Sequence, residues 1–259
     1  MKIAVVGCGF VGQAMIKLFK GAVINSGVNY DPAKGLASRE QVNECDVAFV
    51  CVPTEMLPNG ECDTSIVEDT IDWLETPLII IRSTIKPGTT ERLIKKTGKN
   101  IIFQPEYVGE TTAHPLLNES ERTFLILGGS QENCAKAVDV YQTVYNSSVK
   151  ILFVRPTEAE VIKYMENTAI GSMVTLCNEF YNICKALGAD YNQVREGFLM
   201  DPRMSRYFTF VYPTARGFSG KCLPKDLNAI AHASKEAGYQ AELIESILNI
   251  NKKFNNPHV

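Results

Sequence analysis

The chain has 259 residues, of which 45% are hydrophobic and 21% charged, with a formal net charge of −3. This is enough apolar material for one large core or two modest ones, and a Rossmann-sized unit with a smaller partner is the expected partition. The weak negative charge gives no general attraction to nucleic acid or an anionic membrane, and no run approaches 18 uninterrupted apolar residues, so neither kind of partner is expected.

In chain order, KIAVVG, DVAFVCVP, PLIIIRST, NIIFQPE and TFLILGG are short apolar runs bounded by Gly, Pro or Asn and separated by helical stretches. That alternation predicts a doubly wound, Rossmann-like α/β domain with a parallel sheet covered by helices. The first run ends in GCGFVG, with Gly7, Gly9 and Gly12 in GxGxxG spacing. Gly7 permits the tight turn, Gly9 lets backbone approach a pyrophosphate, Gly12 allows close helix packing, and the helix start favours the anion. Asp31 follows at the distance where an acid binds adenosine ribose hydroxyls and repels a 2'-phosphate, so NAD is favoured over NADP. A purely structural glycine turn is the alternative. Only 14 residues run from Asp31 to Glu44, which leaves no room for a full helix-strand-helix passage and predicts an abbreviated first half.

Ser83 and Thr84 fall at the carboxyl end of a strand, where ligands bind in open α/β sheets; a polar strand cap with Thr90 starting a helix is the plainer alternative. QPEYVGE places Glu106 and Glu110 in the same zone, where surface carboxylates are the alternative. KILFVR, residues 150–155, predicts one more strand, and PTEAE then starts a helix with Thr157 as N-cap and Glu160 three residues on. This helix is expected to run to about Leu187, with Gly188 ending it. It is apolar on more than one side, and about 30 residues at 1.5 Å each span about 45 Å, too long for one small domain to surround. A second copy is expected to pack on it. Lys163 and Asn167 are an i,i+4 pair that can donate hydrogen bonds to a carbonyl or alkoxide, a solvated lysine being the alternative.

GADYNQVREGF predicts a further helix, and residues from Leu227 to about Phe254 predict helix with a break at Gly238. Between them lies RGFSGKCLPKD. Gly217 and Gly220 permit close backbone approach, Lys221 and Lys225 favour a thiolate at Cys222, and Asp226 follows the Pro-Lys-Asp turn. A nucleophilic cysteine is the expectation, since activated thiols add readily to aldehydes. The other cysteines, of eight in all, are scattered without CxxC pairs or clustered histidines, so no disulfide framework and no metal are expected, and His114, His232 and His258 read as structural or surface residues. The chain opens in MKIAVVG with no signal-like leader, which points to a cytoplasmic protein.

The ordered set GCGFVG, STIKPGTT, PEYVGE, Lys163 with Asn167, and GFSGKCLPKD resembles the UDP-glucose/GDP-mannose dehydrogenase family, and FLMDPRMSRY followed by the cysteine motif is most similar to its UDP-glucose 6-dehydrogenase branch. The resemblance implies NAD-dependent oxidation of a nucleotide-sugar primary alcohol in two hydride transfers, UDP-glucose foremost, with Cys222 forming a thiohemiacetal and then a thioester. It implies oxyanion stabilisation by Lys163 and Asn167, water positioning by Asp226 with Thr84, and Glu106 as a base through water. The implied cofactor set is Gly7, Gly9, Phe10, Val11, Gly12, Asp31, Pro53, Thr54, Ser83, Thr84, Glu110 and Lys225. The implied substrate set is Glu106, Tyr107, Lys163, Asn167, Arg203, Arg216, Gly217, Phe218 and Gly220, with Arg203 reaching across a homodimer formed through the long helix from Glu158. The expected domains are an NAD-binding domain, 1–156, and a helical central and dimerisation domain, 157–259, carrying the cysteine loop.

Three departures stand out. The family's third, nucleotide-binding domain is missing from a chain that ends at Val259; Ser219 replaces a glycine, and Gly109 replaces a larger residue. Two other readings stay open. Lys163 and Asn167 resemble the pair of single-step β-hydroxyacid dehydrogenases, and a non-catalytic, dimeric NAD-binding partner module fits the same motifs.

Overall fold

The computed structural model describes residues 1–20, 27–109 and 118–255. They fall into two compact units, 1–57 with 62–163, and 58–61 with 164–259.

The first unit is built on seven strands: β1 (Ile3–Val6), β2 (Val28–Tyr30), β3 (Val47–Val50), β4 (Leu78–Ile81), β5 (Ile101–Phe103), β6 (Phe124–Gly128) and β7 (Lys150–Val154), in the order β2-β1-β3-β4-β5-β6-β7. The central strands are apolar at every position because both faces are covered. Ala4, Val6, Ala48, Val50, Ile79 and Ile81 pack into one core, and Ile3, Val5, Val47, Phe49, Leu78 and Ile80 into the other. Helices α1 (Phe10–Phe19), α2 (Arg39–Asn43), α3 (Ser65–Trp73), α4 (Thr89–Thr97) and α5 (Gln131–Tyr141) connect them. The strand order reverses between β1 and β3, and the crevice at such a switch point is where ligands bind in open α/β sheets. The expected abbreviation is present: from Asp31 to β3 the chain makes only a 3-10 turn at Pro32–Lys34 and the five-residue α2.

The sheet is parallel but for one junction. Strands β1 to β5 pair parallel, but β5 meets β6 antiparallel at the single pair Phe103–Gly128, and β7 pairs parallel with β6. β7 is the border strand, and its Ile151, Leu152 and Phe153 are exposed.

The long helix α6 (Pro156–Leu187) starts one residue before the expected cap, and the Thr157–Glu160 capping box is not formed. Glu160 is fully buried and instead accepts hydrogen bonds from the Gly88 and Thr90 backbone N–H groups, satisfying donors that the start of α4 leaves without a helical partner. Gly188 ends α6 as expected. At φ +70°, it donates to the Lys185 carbonyl while Ala189 donates to that of Cys184, a Schellman closure.

The second unit continues with α7 (Tyr191–Phe198), α8 (Cys222–Glu236) and α9 (Glu242–Asn255). The helix expected from Leu227 begins at Cys222, so LPKD is helix and not a turn. Pro224 is the third helical residue, where its missing N–H costs nothing and its φ is already suitable. The break falls at Gly238, φ +87°, as expected. Phe218, Leu227 and Ile247 form the core of this half, with Cys177, Cys184 and Tyr191 as a second cluster.

Burial pushes the Glu160 carboxyl up to about 7 from 4.5, against the lowering pull of the Thr90 and Gly88 contacts. A carboxyl raised on folding stabilises fully below its unfolded value and loses that contribution as pH rises through the folded one. Between pH 4.5 and 7.5, Glu160→Gln is expected to lose on the order of 2 kcal/mol less stability than wild type, measured by urea denaturation at both pH values.

Candidate active site

The glycine loop between β1 and α1 meets the three demands of its spacing. Gly7 sits at φ +88°, with the Cys51 carbonyl oxygen 2.6 Å from where a Cβ would be. A Cβ on Gly12 would run into the Gly7 carbonyl oxygen. Gly9, by contrast, has no atom within 4 Å of its Cβ position and caps α1, so the backbone at the helix start is open to an approaching anion. Phe10 is exposed beside it, and Val11 is half-buried. Asp31, following β2, accepts from the Cys8 N–H at 3.2 Å and lies 3.6 Å from Lys34 Nζ, which itself donates to the Cys8 carbonyl at 2.6 Å. This loop, with a carboxylate beside it and open space over Gly9, fits a dinucleotide. Pro53 and Thr54 follow β3, exposed and buried respectively. Ser83 follows β4 and donates to the Val52 carbonyl at 2.7 Å, while the carbonyl of half-buried Thr84 accepts from Cys62 Sγ. Glu110, His114 and His258 lie outside the described residues.

Beyond β4 and β5 lies a buried ionic network. Arg82, 1% exposed, donates to Glu106 and at 3.0 Å to Glu119; Arg122 donates to Glu119 at 2.7 Å and lies 3.8 Å from Glu106. Glu106 Oε1 also accepts from the Tyr107 N–H at 2.7 Å and from that of Val108. Burial pushes the Glu106 carboxyl up, but Arg82, Arg122 and the Val108 N–H together hold it below the usual carboxylate range. Both its oxygens are engaged in these contacts, which order the QPEYV loop. Tyr107 stacks with Arg122 at 4.9 Å, and Lys163 Nζ lies 5.4 Å from the same ring.

In the second unit, Asn167 on α6 donates to Asp226 Oδ2 at 2.5 Å, and Lys225 donates to Asp226 Oδ1 at 2.7 Å. Asp226 is buried, one turn along α8 from Cys222. Cys222 is the first residue of α8, and of the eight cysteines it alone is exposed. The positive end of a helix favours a thiolate. Gly220, φ +83°, has open space around it.

Three of the expected substrate contacts also hold parts of their own chain. Arg216 donates to Asn178 Oδ1 and to the Asn178 carbonyl at 2.6 and 2.8 Å and stacks on Tyr181; Gly217 N–H also bonds Asn178; Phe218 is buried in the core. Arg203 is exposed and chelates Asp201 of its own chain. His232, expected as a structural or surface residue, has Glu236 one turn on, and with Glu61 these form the one group of three such ligand atoms within 4.8 Å among the described residues. The i,i+4 spacing of His232 and Glu236 was readable; the approach of Glu61 was not.

Sequence reasoning also missed Arg82, Glu119 and Arg122. The signal for Arg82 was a charged residue ending the apolar run LIIIR.

A Rossmann-like sheet with an open glycine loop at its first strand-to-helix turn is the architecture of a dinucleotide-binding protein. The chain belongs to the UDP-glucose/GDP-mannose dehydrogenase family: residues 24–148 match its NAD binding domain and residues 157–253 its central domain. It is 27% identical to UDP-glucose 6-dehydrogenase TuaD of Bacillus subtilis over 97% of this chain and 63% of that protein, and 26% identical to GDP-mannose 6-dehydrogenase of Pseudomonas putida over 89% and 56%. Among solved structures, a UDP-glucose dehydrogenase from Pyrobaculum islandicum superposes with a TM-score of 0.83 at 23% identity, covering 97% of this chain and 68% of that one. The chain thus spans about half to two thirds of the curated relatives it matches. Among the described residues, no helix is long and apolar enough to cross a membrane.

Arg82→Met leaves Glu106 and Glu119 buried with only Arg122 to compensate them. Urea denaturation is expected to show a loss of about 3–5 kcal/mol, the cost of removing one partner from a buried ionic group.

Proposed function

We propose that this chain oxidises the primary alcohol of a nucleotide sugar to a carboxylate in two NAD-dependent steps, with UDP-glucose the foremost substrate. The observation that carries this reading is the setting of Cys222: exposed at the start of α8, with Asp226 one turn on and tied to Asn167 and Lys225. The named activities of the relatives support the substrate class.

The glycine loop and Asp31 hold NAD, and the family resemblance adds Pro53, Thr54, Ser83, Thr84, Glu110 and Lys225 to the residues that bind it. Bound there, NAD supplies the two-electron acceptor for each oxidation. Lys163 and Asn167 donate hydrogen bonds to the substrate oxygen and stabilise the negative charge that develops on it. Cys222 Sγ adds to the aldehyde carbon, forming a C–S bond as the thiol proton passes to the oxygen. After the second oxidation the carbon is held as a thioester. Water, positioned by Asp226 and Thr84, attacks it, the C–S bond breaks, and the carboxylate leaves as the thiol is restored. Glu106 keeps Tyr107 in place beside Lys163 and acts as base through a water. Arg203 serves the neighbouring subunit of a homodimer, while Gly220 gives the substrate access to the thiol.

With limiting UDP-glucose and excess NAD, wild type is expected to yield two NADH per sugar and Cys222→Ser at most one, followed by absorbance at completion. Two NADH from the mutant overturns the thiol's role.

The dimer rests on α6, where Leu176, Phe180, Ile183 and Leu187 are all exposed at i, i+4, i+7 and i+11, an apolar stripe on one helix face. Sedimentation is expected to give a dimer for wild type and a monomer for Phe180→Glu.

A further inference from the structure

The loop leading to Cys222 is held by side-chain amides from two helices. Asn178 on α6 is 2% exposed; its Oδ1 accepts from Arg216 Nε at 2.6 Å and from the Gly217 N–H at 3.1 Å, while its Nδ2 donates along its own helix to the Val174 carbonyl. Asn251 on α9 is 5% exposed and grips Phe218 at both ends: Oδ1 accepts from the Phe218 N–H at 2.7 Å, and Nδ2 donates to the Phe218 carbonyl at 2.8 Å. Asn255 Nδ2 donates to the same carbonyl at 2.9 Å. A side-chain amide has one acceptor and two donors, so a reciprocal pair with a peptide unit fixes that unit in place and orientation.

The backbone is shaped to fit this grip. Gly217 has φ +70°, and a Cβ there would strike Asn251 Oδ1. The Phe218 ring is buried with Leu227 of α8 and Ile247 of α9. Only Ser219, Gly220 and Lys221, all exposed, separate this anchor from Cys222. The position of the thiol is therefore set from upstream by the amides and from downstream by the buried Asp226 and Leu227.

We propose that Asn178 and Asn251 are positioning residues for Cys222: they hold Arg216 to Phe218 so that the first turn of α8 stays closed and presents the thiol at the positive end of the helix. The catalytic weight of this clamp rests on the nucleophilic role given to Cys222 above. The clamp itself does not, because thiol reactivity can be read without turnover.

The test is the rate of Cys222 alkylation by iodoacetamide, located by peptide mass spectrometry; the other seven cysteines are buried. Asn178→Ala and Asn251→Ala are each expected to slow it by about threefold to tenfold, as the helix end that favours the thiolate frays. Asn178→Asp retains the acceptor for Arg216 and Gly217 and is expected to restore the rate. Tyr191→Phe, which loses a buried hydrogen bond to the Thr209 carbonyl away from this loop, controls for simple destabilisation and is expected to leave the rate within about twofold. An unchanged or faster rate in both alanine variants, at a melting temperature lowered as in Tyr191→Phe, overturns the clamp. If Asn251→Ala does not fold, the Asn178 pair decides alone. Slowed alkylation in a protein that oxidises no nucleotide sugar upholds the clamp and counts against the proposed function. Lowered kcat with unchanged alkylation does the reverse.

Discussion

Two arginines and two glutamates buried beyond β4 and β5 impose the constraint on which the first unit depends. A charge out of water must be compensated where it lies, so Arg82 can sit beyond β4 only if Glu106 and Glu119 come to it from later segments. Meeting that demand brings together the QPEYV loop and the segment before β6, and fixes Tyr107 under Arg122 and beside Lys163. The apolar interior is permissive by comparison, since its aliphatic side chains are tolerant of exchange at similar volume.

Carboxylates in this chain take sharply different roles from similar chemistry. Glu160 and Glu106 are both buried and both accept backbone N–H groups, yet burial raises one while two guanidinium groups hold the other down. Asp31 and Asp226 instead link neighbouring donors, Asp31 at the glycine loop and Asp226 between Asn167 and Lys225. The difference lies in where a cation or amide stands, which no count of acidic residues supplies.

The architecture was legible wherever burial writes itself into local pattern. All six strand runs read from the sequence are strands; in the inner ones, covered on both faces, burial calls for apolar residues at consecutive positions, and Gly188 and Gly238 punctuate helices because a positive φ is inexpensive only for glycine. Strand direction was not legible: nothing within TFLILGG distinguishes parallel from antiparallel pairing with β5. The start of α8 was misread because proline suggests a turn, although the first turn of a helix accepts it. Within the site, the GxGxxG loop was readable from spacing alone. The grip of Asn178 and Asn251 on Arg216 to Phe218 joins residues 33 or more positions apart, and asparagine in a helix carries no signal of its partner.

β7 leaves the sheet with an unfinished border. Among the described residues no strand lies beyond its outer backbone groups, and three consecutive large apolar side chains stand exposed on it, with Lys150 and Arg155 as the charges at its two ends. A border of this kind is a template for another extended segment, and like charges flanking it discourage one copy from adding to the next. Colloidal behaviour is thereby tied to ionic strength: salt screens the two cations and leaves the apolar border intact, so concentrated solutions of this chain keep best at low salt.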